Sequence, residues 1–395
     1  MINAMRSVNG TFEALGTTIF AVMSQLANEQ GAINLGQGAP DDEGPEDLRR
    51  RAAEAVMKGP NQYPPMKGVP ELLKAVAAHD NRFYGLGVDA GKEVMVTAGA
   101  TEALAASLMA LLEPGDEAIL IEPAYDSYKP VIEAMGAKAV CVQLKAPEWK
   151  LDEEALARAF SDETKLLVFN SPMNPTGRVF TQSELEAIAA LVRKHDAYVI
   201  CDEVYEHLIY TGHTHVPLMT LPGMRERCVK IGSAGKTFSL TGWKIGYITA
   251  CEKLMGVIAK AHQFITFTIP PAFQYAVAWG LEQDDAYYKV LAADLEKKRD
   301  LLTAGLAEAG FDVTPAEGTY FVTTDIRALG YKGTDFDFCR ELTTETKVAA
   351  IPISAFYAPE SENVPETLIR FCFCKQPAAL EEAAKRLKRV GQKVA

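Results

Sequence analysis

The sequence predicts an α/β protein, a mostly parallel sheet flanked by helices, followed by a smaller α+β unit. Three observations carry that prediction. Short apolar runs alternate with helical patterns between residues 94 and 201, the rhythm of βαβ units whose sheet is covered on both faces. The 395-residue chain is 48% apolar and 23% charged, which allows a large core and more than one domain. From about Asp284 the texture changes to long charged helices and short strands.

Taken in order, residues 94–97 read as a strand, Gly99 as a turn and residues 101–112 as a helix. Residues 118–122 and 138–144 read as further strands, 152–160 as a helix, and 166–170 as a strand that ends in a Pro/Asn/Gly loop. Thr181-Gln182-Ser183-Glu184 makes a capping box for a helix whose Leu185, Ile188, Ala189 and Val192 share a face. Residues 197–201 form a short apolar strand stopping at Asp202, and a strand-like run covers 243–249. Beyond the boundary come a helix at 286–309, strands at 318–324, 348–351 and 367–373, and a basic final helix. The expected organisation is an arm, 1–45, packing with the small domain; a large α/β domain, 46–283; and a small α+β domain, 284–395.

Forty Lys and Arg against 52 Asp and Glu leave a formal charge of -12. That excludes non-specific nucleic-acid binding and attraction to an anionic membrane. No apolar stretch is long enough to span a bilayer and the start lacks a signal-peptide core, so a cytoplasmic location is expected. Seven scattered cysteines without a Cys-x-x-Cys pair suit reduced, buried thiols. Cys372 and Cys374 alternate with Phe371 and Phe373, as on one strand face.

The most telling stretch runs from Ser233 to Gly246 and holds Lys236 and Lys244 among glycines and hydroxyls. Small neighbours let a bulky group approach the backbone. A lysine in a partly dry pocket keeps a fraction of free amine able to attack an aldehyde. Ser233, Thr237 and Ser239 with cationic Lys244 suit a phosphate nearby, which together suggests pyridoxal phosphate; a glycine-rich surface loop with two solvated lysines fits the same residues. Gly99-Ala100-Thr101 stands between a strand and a helix start, where free amides favour a phosphate. Asp202, at a strand end, could keep a pyridine nitrogen protonated, or be a solvated carboxylate. Arg370, between Ile369 and Phe371, needs an anionic partner, either a ligand carboxylate or a structural acid. His213-Thr214-His215 lies between Gly212 and Pro217 as a surface loop, and no metal site is expected.

These residues, with Asn34-Leu35-Gly36-Gln37-Gly38 near the start and Ile369-Arg370-Phe371-Cys372-Phe373 near the end, closely resemble the class I/II pyridoxal-phosphate aminotransferases. The likeness is greatest to the kynurenine/glutamine transaminase and methionine aminotransferase branch. It implies fold type I and a homodimer with shared active sites. It implies that Lys236 carries the cofactor and moves the α-proton, and that Asp202, Asn174 and Tyr205 hold the ring while Tyr125 stacks on it. Gly99, Ala100, Thr101, Ser233 and Lys244 would bind the phosphate, helped by Tyr63 from the neighbouring subunit. Arg370 would clamp the substrate α-carboxylate, with Asn174, the Asn34–Gly36 loop and Phe20 beside it.

The expected reaction moves the α-amino group of a neutral, hydrophobic or aromatic L-amino acid to a 2-oxo acid by a ping-pong mechanism. The expected wall, Ile19, Phe20, Tyr125, Phe267 and Phe356, is apolar. A cysteine-S-conjugate β-lyase and an N-succinyldiaminopimelate aminotransferase share the scaffold and stay open. A non-catalytic ligand-binding regulator is disfavoured by the acidic charge and by Lys236, Asp202 and Arg370 occurring together.

Overall fold

The computed structural model describes residues 7–394; residues 1–6 of the expected arm lie outside them. The arm contributes a helix, Ile19–Gln30, capped by Thr18, whose side chain accepts from the Ala21 amide, and closed by Gly31 in the left-handed conformation. It continues into strand β1, Ile33–Asn34.

Seven strands follow: β2 (Val94–Ala98), β3 (Glu117–Glu122), β4 (Lys138–Gln143), β5 (Thr164–Asn170), β6 (Tyr198–Asp202), β7 (Cys228–Ser233) and β8 (Ile245–Ala250). They form one sheet in the order β2-β8-β7-β6-β5-β3-β4. All run parallel except β8, antiparallel to both neighbours. Alternation along each strand explains why it is buried twice. Leu166 and Val168 of β5 join one core with Leu120 and Ile200, while Leu167 and Phe169 join the other with Ile119 and Val199. The capping box at Thr181 and Glu184 forms, and the helix Gln182–Lys194 buries Leu185, Ile188, Ala189 and Val192.

The rest of the chain adds β9 (Asp312–Thr314), β10 (Phe321–Asp325), β11 (Val348–Ala349), β12 (Ile351–Pro352) and β13 (Leu368–Cys372). Four of them form an antiparallel sheet in the order β12-β13-β10-β9. The 348–351 strand of the sequence reading is in fact two pieces. β11 pairs in parallel with β1 of the arm, whereas β12 pairs with β13 at the sheet edge, where Pro352 leaves no ladder donor wasted.

Two other boundaries differ. The last strand of the large sheet starts at Ile245 rather than 243, because Thr241–Trp243 is a 3-10 turn and Lys244 is left-handed at φ 53°. The helix expected from 101 starts at Gly99, whose φ of +71° turns the chain directly out of β2. Among the described residues, no helix is long and apolar enough to cross a membrane.

Candidate active site

The carboxyl ends of β2, β5, β6 and β7 and the start of β8 lie along one edge of the large sheet, the edge where open α/β sheets bind ligands. Register sets the residues side by side: Asn170 opposite Asp202, Ser233 opposite Gly246, and Ala98 opposite Ile245. Of these, Asn170, Asp202, Ser233 and Ile245 border a cavity of about 490 Å³ that also meets Phe20, Tyr125, Asn174, Tyr205, Lys236 and Arg370.

Lys236 follows β7 in the short helix Ala234–Thr237. Its Nζ donates to the Tyr320 hydroxyl at 2.9 Å, and burial holds the amine below the usual lysine range. Asp202 ends β6, 5% exposed, and accepts from the Tyr128 hydroxyl at 2.6 Å. Burial raises its carboxyl above the ordinary range, with the Tyr128 hydrogen bond opposing the rise. Among the described residues no cation pairs with it in an ion bridge.

Arg370 is 1% exposed on β13. It donates to Asn174 Oδ1 at 2.7 Å and to the Gly36 carbonyl at 2.6 Å, and its Nε has no partner. The rings of Phe321 and Phe20 flank the guanidinium, with centroids 4.0 and 5.4 Å from its carbon. Burial lowers it to about 10. The structural acid that could have explained this arginine is absent among the described residues, so a buried cation faces the cavity held only by neutral oxygens. Gly36 is placed by an Asx turn in which Asn34 Oδ1 accepts from the Gly36 and Gln37 amides at 3.0 Å each.

At the other end, the helix Gly99–Leu111 starts without a side-chain cap, so its first amides are available to an anion. Lys244 Nζ comes to 3.5 Å from Thr101 Oγ1. A Cβ on Gly99 would sit 3.0 Å from Lys244 Nζ, and one on Gly246 would sit 2.5 Å from the Gly99 carbonyl carbon. Thr237 does not join this cradle: its hydroxyl donates to the Ser233 carbonyl at 3.3 Å. Uncapped amides, Lys244 and two crowded glycines fit a phosphate. A buried carboxylate with no cation in an ion bridge among the described residues fits a protonated ring nitrogen, and an amine whose proton affinity burial lowers fits the carbonyl chemistry of pyridoxal phosphate.

Two sequence expectations need correction. Phe267, expected in the cavity wall, is 43% exposed and packs edge-to-face on Tyr63 with centroids 5.3 Å apart, so it does not line the cavity of this chain; Tyr63, expected at the neighbouring subunit's site, is 81% exposed. His215 is buried rather than on the surface, with Nε2 3.1 Å from Glu203. Sequence reasoning missed Tyr128, Asn170, Tyr320 and Phe321. The first could have been sought as the partner that a buried Asp202 requires, three residues after Tyr125.

Behind the site lies a buried charge network with no sequence signal of its own. Lys230 Nζ of β7 reaches Asp80 at 3.1 Å and Glu206 at 2.8 Å, and Tyr84 donates to Glu206 at 2.7 Å. His79 and His207 meet Nε2 to Nε2 at 2.6 Å. That is a hydrogen bond, closer than the roughly 3.3 Å between two nitrogens on one tetrahedral ion with bonds of about 2.0–2.1 Å. Lys230 supplies the cation that Glu206 needs.

A family model described as aminotransferase class I and II matches residues 30–387. The solved structure of N-succinyldiaminopimelate aminotransferase from Mycobacterium tuberculosis is 44% identical, with a TM-score of 0.94, covering 97% of this chain and all of that one. Methionine aminotransferase of Escherichia coli is 42% identical over 376 residues, 95% of this chain and 96% of its own length. Kynurenine–oxoglutarate transaminase of Dictyostelium discoideum is 38% identical over 405 residues, 94% of this chain and 93% of its own.

Proposed function

The chain belongs to the class I and II aminotransferases, pyridoxal-phosphate enzymes, and we propose that it exchanges the α-amino group of a neutral, hydrophobic or aromatic L-amino acid with a 2-oxo acid. The observation that carries this reading is Arg370, a buried guanidinium with no carboxylate partner among the described residues, on the same cavity as Lys236.

Bound there, pyridoxal phosphate supplies an aldehyde for the amino group and a ring that accepts the electrons left when the α-proton departs. Arg370, with Asn174 and Gly36 behind it, binds the substrate α-carboxylate. Lys236 Nζ takes that proton and returns it. Asp202, its carboxylate fixed by Tyr128, would keep the ring nitrogen protonated. Tyr205 and Asn174 would hydrogen-bond the ring oxygen; Asn174 Oδ1 is taken by Arg370, so its amide N–H is what it would offer. Tyr125 would stack on the ring, and Gly99, Ala100, Thr101, Ser233 and Lys244 would hold the phosphate. Phe20 closes the substrate side. We place the active molecule in the cytoplasm as a homodimer whose second copy covers the exposed Tyr63, Phe267 and Phe264, bringing Tyr63 to the neighbouring phosphate. The arm (1–45), large (46–283) and small (284–395) domains are the units of this scheme.

Support for a neutral side chain comes from the cavity wall. Its cations are Lys236, Lys244 and Arg370, already assigned, and Asp126 adds an acid near the substrate end. The similarity to an N-succinyldiaminopimelate aminotransferase favours a second reading, in which a distal carboxylate must find its cation elsewhere. The test is the visible spectrum of the cofactor-loaded protein on adding single donors without oxo acid. Loss of the yellow band with glutamine, methionine or an aromatic amino acid supports the proposal. Response to N-succinyl-diaminopimelate alone would replace it, and pyruvate released without an acceptor would identify β-lyase chemistry.

A further inference from the structure

We propose that Tyr320 is a positioning residue that docks the Lys236 amine whenever that amine is not bonded to the cofactor. The inference rests on the aminotransferase reading and assigns a role to a residue outside the proposed cofactor and substrate contacts.

The argument starts with one proton. The Tyr320 hydroxyl lies 2.8 Å from the Gly38 carbonyl and 2.9 Å from Lys236 Nζ. A carbonyl can only accept, so the phenol proton points to Gly38 and the oxygen is left to accept from the amine. One N–H of Lys236 is thereby committed in a fixed direction in both protonation states. The rings of Tyr205 and Tyr320, with centroids 5.7 and 5.6 Å from Nζ, restrict the amine further.

The backbone is built to present this hydroxyl. Thr319 is fully buried with φ +65°, a left-handed conformation that a β-branched residue adopts only where its surroundings hold it. It is held there by the Tyr210 hydroxyl on its carbonyl and by its own amide on the Leu208 carbonyl at 2.9 Å. On the other side, the Phe373 amide donates to the Tyr320 carbonyl at 2.9 Å. Gly38 completes the contact: a Cβ there would lie 2.5 Å from Phe321 Cζ and 3.0 Å from Tyr320 Cε2. Tyr320 therefore joins the arm loop and the approach to β10 to the amine after β7.

The experiment uses protein loaded with pyridoxamine phosphate, in which Lys236 is free. Acetylation by acetic anhydride is followed lysine by lysine by mass spectrometry, in the wild type and Tyr320→Phe, with buried Lys230 and exposed Lys92 as internal standards. Without its acceptor the ammonium form is less favoured, so Lys236 should be acetylated roughly fivefold to tenfold faster at neutral pH with both standards unchanged. In turnover, kcat should fall about tenfold with little change in KM. An unchanged Lys236 rate overturns the proposal, as does a rise shared with Lys230, which would report general loosening. If Tyr320→Phe does not fold, 3-fluorotyrosine at 320 keeps the ring and weakens the acceptor; it should move Lys236 in the same direction by less, and no movement overturns the proposal. Cofactor loading and donor response of the wild type test the aminotransferase reading separately.

Discussion

Arg370 and Asn174 face each other with Nη1 to Oδ1 at 2.7 Å, and this contact satisfies a buried cation with a neutral oxygen. A guanidinium left in that state is poised for an anion that arrives from outside. Replacement by lysine keeps the charge but loses the fork. With hydrogen bonds to charged groups at about 1.5–3 kcal/mol each, Arg370→Lys should lower kcat/KM for donor and acceptor alike by on the order of a hundredfold. Steady-state kinetics on both half-reactions checks this, and a loss confined to one substrate would count against the carboxylate role.

Asp202 carries a pH prediction. Its folded-state carboxyl titrates above the ordinary range because burial dominates. A group raised in this way binds more protons folded than unfolded, so stability falls as pH climbs through the unfolded value to the folded one, and the whole cost is present above both. In cofactor-free protein, Asp202→Asn should therefore melt higher than wild type at neutral pH, with the gap closing as pH drops into the carboxylate range. The same change should cost activity by on the order of a hundred- to a thousandfold. Thermal melts over pH and kinetics of the loaded protein provide the two readouts.

Gly246 tests the phosphate cradle. An added methyl would press to 2.5 Å on the Gly99 carbonyl carbon, so Gly246→Ala should push the Gly99 turn out of place. Weaker cofactor retention on dialysis is expected, by about tenfold or more in Kd, corresponding to about 1.4 kcal/mol.

Lys230 tests the network behind the site. Removing the cation leaves Asp80 and Glu206 buried together, a change of the kind that costs about 3–5 kcal/mol. Urea unfolding of Lys230→Met should show that loss, and full stability would mean the carboxylates had simply taken up protons.

Much of the fold was legible because its signals were local. Strand-and-turn alternation gave the parallel sheet, and Thr181 with Glu184 gave a helix start that the structure reproduces. The sequence stretch around Lys236 and the apolar setting of Arg370 marked two residues that the structure brings to one cavity. What stayed hidden depended on distant partners. Tyr128 matters because it meets Asp202, 74 positions away, and Tyr320 because it meets Lys236, 84 positions away. His215 looked exposed between a glycine and a proline, yet Glu203 draws it inside. Phe267 looked like cavity wall until its left-handed backbone, φ +70°, set it against Tyr63 on the surface.

The antiparallel course of β8 has a consequence for how this chain tolerates change. β7 and β8 are paired neighbours, so residues 234–244 between them are a hairpin loop, and Lys236 is mounted in it. Ser233 is locked opposite Gly246, and a side-chain period of two means that slipping by one residue reverses every face of β8. A slip of β8 by one residue would send Ile248 away from its core and Tyr247 into it. The two ends of the loop around Lys236 are therefore anchored by the packing of the sheet, and whatever changes inside it must leave Ser233 facing Gly246.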